Sequence, residues 1–298
     1  MKNFIENLKQ YADVDIDVPL AGLTTFRVGG NADYVIYPKD AIAFAEAIRL
    51  ITKEGLPYKM LGKGSNILCS DETFHGVIIR LDRYFQDYYY LDNQLFAQAG
   101  CSIISLSYDS MKKGLSGLEF ASGIPATVGG TIYMNAGAYK KCMKDVVEEV
   151  LVYRDGVIDW LKADECDFNY RSSVFQTNQD WIILAARLTL VPEKVETIRE
   201  LIENRRQRRM ETQPLNLPSA GSVFRNPINE FAWEYIDKLG LRGLQIGGAQ
   251  ISDKHSNFIV NVGNANASNV LELINLVNEK MRTEYGFELE MEIEKFNW

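Results

Sequence analysis

Apolar residues along this chain recur with two periods, and the change from one to the other divides it. Residues 34–37, Tyr-Val-Ile-Tyr, read as a strand that Pro38-Lys39-Asp40 ends. Asp40 suits the N-cap of a helix, since its carboxylate can accept from the unpaired N–H groups of a first turn. Ile42, Ala45, Ile48 and Ile51 then follow at helical spacing. Residues 58–61 read as the next strand, feeding a glycine turn at Gly62, and residues 77–81 as another. Strand, helix, strand predicts a small α/β lobe over about residues 1–82. From about Tyr88 the pattern changes to strands and turns. Residues 150–153 and 157–160 flank Asp155-Gly156, a pair that suits the positive φ angles of a two-residue hairpin turn. Residues 181–191 are rich in β-formers and stop at Pro192, which closes a second lobe over about residues 83–192.

A third region, residues 193–298, returns to the helical period. Val195, Ile198, Leu201 and Ile202 form one stripe, followed by Arg205, Arg206, Arg208 and Arg209, which read as a solvated helix face. Phe231, Tyr235, Ile236 and Leu239 form a second stripe, with Gly240 just past its end. Val270, Ile274, Val277 and Met281 form a third, with Ser268 or Asn269 as its cap and a stop near Gly286. The expected class is α+β.

The bulk properties narrow the function. The chain has 298 residues, 46% of them hydrophobic and 24% charged, as in ordinary globular proteins. A net charge of -8 argues against a nucleic-acid partner. It leaves room for small anionic ligands, which local backbone donors and a few cations hold. Cys69, Cys101, Cys142 and Cys166 stand far apart with no CxxC pair, so no metal is expected. No secretory signal precedes them, which predicts reduced thiols and a cytoplasmic protein. No uncharged apolar run is long enough for a membrane span.

The chemistry rests on segments far apart in sequence. No G-x-G-x-x-G follows a strand and no Walker A sequence is present, which disfavours a standard dinucleotide or P-loop fold. Two glycine-rich turns remain. Gly62-Lys63-Gly64-Ser65-Asn66-Ile67 leaves a strand end with little bulk, so its N–H groups can approach a pyrophosphate, with Ser65 and Asn66 as further donors. Ser122-Gly123-Ile124-Pro125-Ala126-Thr127-Val128-Gly129-Gly130, continued by Asn135-Ala136-Gly137, offers a second close approach. Three further segments carry candidate reactive groups: Tyr170-Arg171-Ser172-Ser173, then Ser219-Ala220-Gly221-Ser222-Val223-Phe224-Arg225-Asn226-Pro227, and the tail Leu289-Glu290-Met291-Glu292-Ile293.

Taken in order, these segments resemble the UDP-N-acetylenolpyruvoylglucosamine reductase family, from about Leu20 to Glu292. The resemblance implies a two-lobed FAD-binding region of the vanillyl-alcohol-oxidase-like type and a C-terminal α+β substrate domain. It implies that the glycine segments cradle non-covalent FAD, with Lys63 adding a phosphate contact. It implies NADPH as hydride donor and UDP-N-acetylglucosamine enolpyruvate as substrate, acted on by a monomer. Ser222 resembles the family's proton donor, Arg171 the arginine that steadies developing charge, and Glu292 the C-terminal glutamate of the proton relay. Asn226 matches a substrate-contacting asparagine, and His255 falls where relatives carrying glutamine touch substrate. Gln213 aligns where a lysine can meet the substrate diphosphate. The chain departs from the pattern at Glu294, where a basic residue is common. It resembles the class without the extra tyrosine-bearing loop. Another FAD-dependent oxidase of the same fold, acting on a sugar or alcohol, is the competing reading.

Overall fold

The computed structural model describes residues 2–298, which form two compact units. One comprises residues up to 16 together with 34–63 and 75–207; the other comprises 17–33, 64–74 and 208–298. The units therefore do not follow a single cut at residue 192. Two early segments fold with the C-terminal region, because Phe26, Val28 and Leu68 are buried in its core and not in the first.

The first unit is built on two sheets. Strands Ala12–Pro19, Asn31–Pro38, Phe74–Ile79 and Tyr58–Met60 form a four-stranded sheet in that order. Helix Ala41–Lys53 follows its second strand, and Asp40 caps it by accepting from the N–H of Ala43 at 2.8 Å. The buried face of this helix is Ala43, Phe44, Ala47, Ile48 and Ile51. Ile42 lies outside it and is 77% exposed, so the expected stripe is rotated by about a third of a turn. The second sheet is antiparallel, in the order Val157–Lys162, Val147–Arg154, Ile182–Thr189, Gln94–Gln98, Tyr88–Leu91. Its hairpin turns at Asp155 (φ 50°) and Gly156 (φ 80°), the two positive angles that the Asp-Gly pair predicted.

Helices Ile103–Lys112 and Val128–Tyr133 interrupt the region expected to hold only strands and turns. Both are capped by hydroxyls: Ser102 accepts from the N–H of Ser105 and Thr127 from the N–H of Gly130. Helix Val195–Thr212 buries Ile198 and Ile202. Of its arginines, Arg206 pairs with Glu203 in solvent, whereas Arg205 is half-buried over the Tyr139 ring.

The second unit packs helices Ala232–Lys238 and Ala267–Tyr285 on a three-stranded antiparallel sheet, Gln245–Ile246, Ala249–Ile251 and Ile259–Asn261. The long helix is capped by Asn266, not by Ser268 or Asn269. Asn269 completes a reciprocal box with Asn266, and the distant Asp71 accepts from the N–H groups of Ala267 and Ser268. Gly286 ends it at φ 78°. Strand Glu294–Phe296 runs parallel to Ile67–Cys69. Among the described residues no helix is long and apolar enough to cross a membrane, and no three His, Cys, Asp or Glu side chains converge as a metal site.

Candidate active site

Among the described residues, the consecutive N–H groups of Gly62, Lys63, Gly64 and Ser65 have no acceptor. Unspent backbone donors in a row suit a bridging diphosphate. Side chains are excluded from this turn. A Cβ on Gly62 would lie 2.8 Å from Thr127 Oγ1, and one on Gly64 (φ 61°) would lie 2.5 Å from the carbonyl oxygen of Leu23. A Cβ on Gly129 would crowd Ala99 at 3.1 Å. Thr127 Oγ1 accepts from the N–H of Gly130, and the N–H of Gly123 has no acceptor among the described residues. Ser122 donates its hydroxyl to the carbonyl of Glu119, and Pro125 is exposed beside the half-buried Ile124. The backbone of both turns fits the diphosphate of a flavin nucleotide. Lys63 is less available than its charge suggested: its ammonium lies 3.1 Å from Asp82. Burial opposes ionisation of Asp82, but Arg80 and then Lys63 outweigh it and hold the carboxyl below the usual carboxylate range.

In the first unit a second cluster forms around Arg171. This residue has left-handed backbone (φ 53°), a conformation that costs a non-glycine side chain energy and persists where neighbours enforce it. Here they do. Asn169 and Ser172 exchange backbone hydrogen bonds around it, and Arg171 donates from Nη2 to the carbonyl of Gly137 at 2.8 Å. Asn135, buried and also left-handed (φ 41°), donates to the carbonyl of Asn169 at 2.7 Å and accepts from the N–H of Lys144. Ser173 and Gln176 both donate to the carbonyl of Tyr133. Asn135 therefore spends its side chain on the arginine loop. A Cβ on Gly137 would meet the carbonyl of Lys141 at 2.4 Å.

The third cluster lies in the other unit. The N–H of Glu292 donates to the carbonyl of Val223 at 2.8 Å, which sets the tail beside the Ser222 segment. Asn66 donates from Nδ2 to the carbonyl of Glu292, and the buried Ile67 pairs with Glu294. Thr25 bonds the carbonyls of both Gly64 and Ser219. Ser222 is half-buried, and its hydroxyl has no partner among the described residues. Asn226 Oδ1 accepts from the N–H of Ala232 at the start of a helix, leaving its NH₂ available. His255 Nδ1 accepts from the N–H of Asn257, which places the proton of the neutral ring on Nε2. Burial, followed by the charge of Arg242, pushes this imidazole below its ordinary pKa. Gln213 carries a buried Oε1 with no partner among the described residues.

Residues 213–296 match the family described as UDP-N-acetylenolpyruvoylglucosamine reductase, C-terminal domain, and residues 32–160 match an FAD binding domain. The chain is 43% identical over 280 residues to UDP-N-acetylenolpyruvoylglucosamine reductase 1 of Bacillus anthracis, covering 94% of this chain and 93% of that one. The chain belongs to the UDP-N-acetylenolpyruvoylglucosamine reductase family. The reductase of Bacillus velezensis is 39% identical over 297 residues, covering 99% and 98% of the two chains. The crystal structure of the reductase from Thermus caldophilus superposes with a TM-score of 0.83 at 36% identity, over 96% of this chain and 98% of that one. An alkyldihydroxyacetonephosphate synthase shares the fold alone, with a TM-score of 0.51 at 18% identity over 64% of this chain and 40% of that one. The reductase fold is thus the expected two-lobed FAD-binding architecture joined to an α+β domain.

Several residues with structural claims on these clusters escaped the sequence reading. They include Asp82, Asn169, Thr25 and Asn257. Asn257 alone carried a signal, as a polar residue directly before the apolar run Phe258-Ile259-Val260.

Proposed function

We propose that this protein is the FAD-containing, NADPH-dependent oxidoreductase that reduces UDP-N-acetylglucosamine enolpyruvate to UDP-N-acetylmuramate in peptidoglycan synthesis. Family membership over 94% of this chain supports the reaction, and the carrying observation for the site is the backbone bond from Glu292 to Val223, which sets Glu292 beside the residue next to Ser222. The backbone donors of residues 62–65 and 123, with the small Gly129, Gly130 and Gly137, would hold FAD. Bound FAD supplies a hydride, drawn from NADPH, to the β-carbon of the enolpyruvyl double bond.

Charge then develops on the substrate carboxylate. Arg171 meets that charge with a planar two-point donor. Ser222 gives a proton to the α-carbon, and its hydroxyl has no competing partner among the described residues. Glu292 orders the path by which the serine is reprotonated. The NH₂ of Asn226 and the Nε2–H of neutral His255 are donors for the nucleotide sugar, and the unpartnered Oε1 of Gln213 is an acceptor for it. In this reading residues 1–192 serve the flavin and 193–298 the sugar nucleotide, with Gly64–Asn66 attached to the second fold unit. The enzyme works as a monomer in the cytoplasm.

An anaerobic titration tests the proposal. NADPH should bleach the flavin absorbance and UDP-N-acetylglucosamine enolpyruvate should restore it. A protein that neither contains nor takes up FAD, or whose reduced flavin ignores the substrate and reacts only with oxygen, overturns it.

A further inference from the structure

Asn257 precedes Phe258, the bridge partner of Ser222, and is 3% exposed. Its side-chain amide treats the peptide of Phe224 as a β-strand partner would. Oδ1 accepts from the N–H of Phe224 at 2.9 Å, and Nδ2 donates to its carbonyl at 2.8 Å. The backbone carbonyl of Asn257 accepts from the N–H of Val223 at 2.8 Å. Ser222 itself bridges to Phe258, and the tail holds the other edge of the segment through Val223 and Arg225. The N–H of Asn257 donates to His255 Nδ1 at 3.3 Å. The buried Asn257 side chain thus fixes the segment carrying the serine, and the backbone N–H of Asn257 sets the tautomer of the histidine. A half-satisfied buried amide is costly, so this geometry is sharply defined.

We propose that Asn257 is the positioning residue of Ser222: it holds the serine segment so that the hydroxyl can deliver its proton. The inference rests on Ser222 being the proton donor. A donor displaced by about an ångström can lose about 10²-fold in rate. Asn257→Asp keeps the acceptor and the volume but loses the donor to Phe224; Asn257→Ser loses both.

The test is a double-mutant cycle with Ser222→Ala in the FAD-loaded full chain, read in both half-reactions. Asn257→Ser should slow flavin reoxidation by substrate by ~10–10²-fold, with Asn257→Asp intermediate, and leave reduction by NADPH within ~2-fold. In the Ser222→Ala background the same changes should add nothing further, because the group they position is gone. Hydrogen exchange of the substrate-free protein should show the Phe224 amide exchanging faster in Asn257→Ser, a readout independent of turnover. Equal slowing in both backgrounds, slowing of both half-reactions, or wild-type reoxidation with a released Phe224 amide would each overturn the proposal. If Ser222→Ala itself reoxidises normally, the donor assignment fails first, and that outcome is distinguishable from loss of positioning alone.

Discussion

Replacing Ser222 by alanine separates proton delivery from every other task of the protein. The hydroxyl has no partner among the described residues, so its loss leaves no orphaned group. The neighbouring backbone stays fixed through Val223, Phe224 and Arg225, which bond Asn257 and the tail. The stability change should therefore fall within about 0.5 kcal/mol, as for other unconstrained substitutions. The rate change should be far larger. General acid catalysis contributes ~10²–10⁴-fold, about 2.7–5.4 kcal/mol of barrier. Stopped-flow absorbance reads the two half-reactions apart. Reduction of the flavin by NADPH transfers no proton to the enolpyruvyl carbon and should keep its rate. Reoxidation by UDP-N-acetylglucosamine enolpyruvate should slow by at least ~10²-fold. Slowing of both steps by one factor would mean a damaged flavin site. Unchanged reoxidation would refute the assignment and pass the donor role to Glu292 or a bound water.

Four further outcomes are expected. Arg171→Lys should cut turnover with the enolpyruvyl substrate by at least ~10-fold despite the kept charge, because an ammonium cannot reproduce the planar fork; near-normal kcat and KM would make Arg171 a structural residue. Gly62→Ala should lower FAD content and thermal stability together, since its Cβ would sit 2.8 Å from Thr127 Oγ1, and full flavin occupancy after desalting would contradict the cradle. His255 titrates below its ordinary value of 6.5, so the folded state favours the neutral ring; the associated stability is present above pH 6.5 and is lost as pH falls through the lower folded value. The melting temperature of wild type should accordingly drop more than that of His255→Gln over that acidic interval, and parallel curves would remove the histidine from the account. A thiol reagent at pH 8 should label Cys142 in the native protein and the other three only on unfolding, because Cys69, Cys101 and Cys166 are buried and burial pushes the Cys101 and Cys166 thiols up to about 11 and about 12. Rapid labelling of all four thiols would contradict the buried core.

Local chemistry carried much of the fold. The Asp40 cap, the Asp155-Gly156 turn and the Gly286 stop each depend on neighbours within one turn of chain, so the residue types alone announce them. The helices at Ile103–Lys112 and Val128–Tyr133 were hidden for a related reason: Gly129, Gly130 and the serines are poor helix formers, and buried packing overrides that preference. The Ile42 stripe misled because one exposed isoleucine mimics a core position when only spacing is read.

The candidate site divides in the same way. The sequence by itself determined the chemical inventory: glycines that clear a path to the backbone, an arginine, a serine and a glutamate in recognisable surroundings. Only the tertiary structure decided which of them are spent and which remain free. Asn66, expected to serve a cofactor, donates to Glu292 across 226 residues, and Thr25 reaches Ser219 across 194. Asn135 is committed to the arginine loop, Lys63 to Asp82, and Asn257 to a peptide 33 residues earlier. No periodicity encodes these pairings, because each arises from satisfying a buried or half-buried donor with whatever acceptor the packed chain brings within reach.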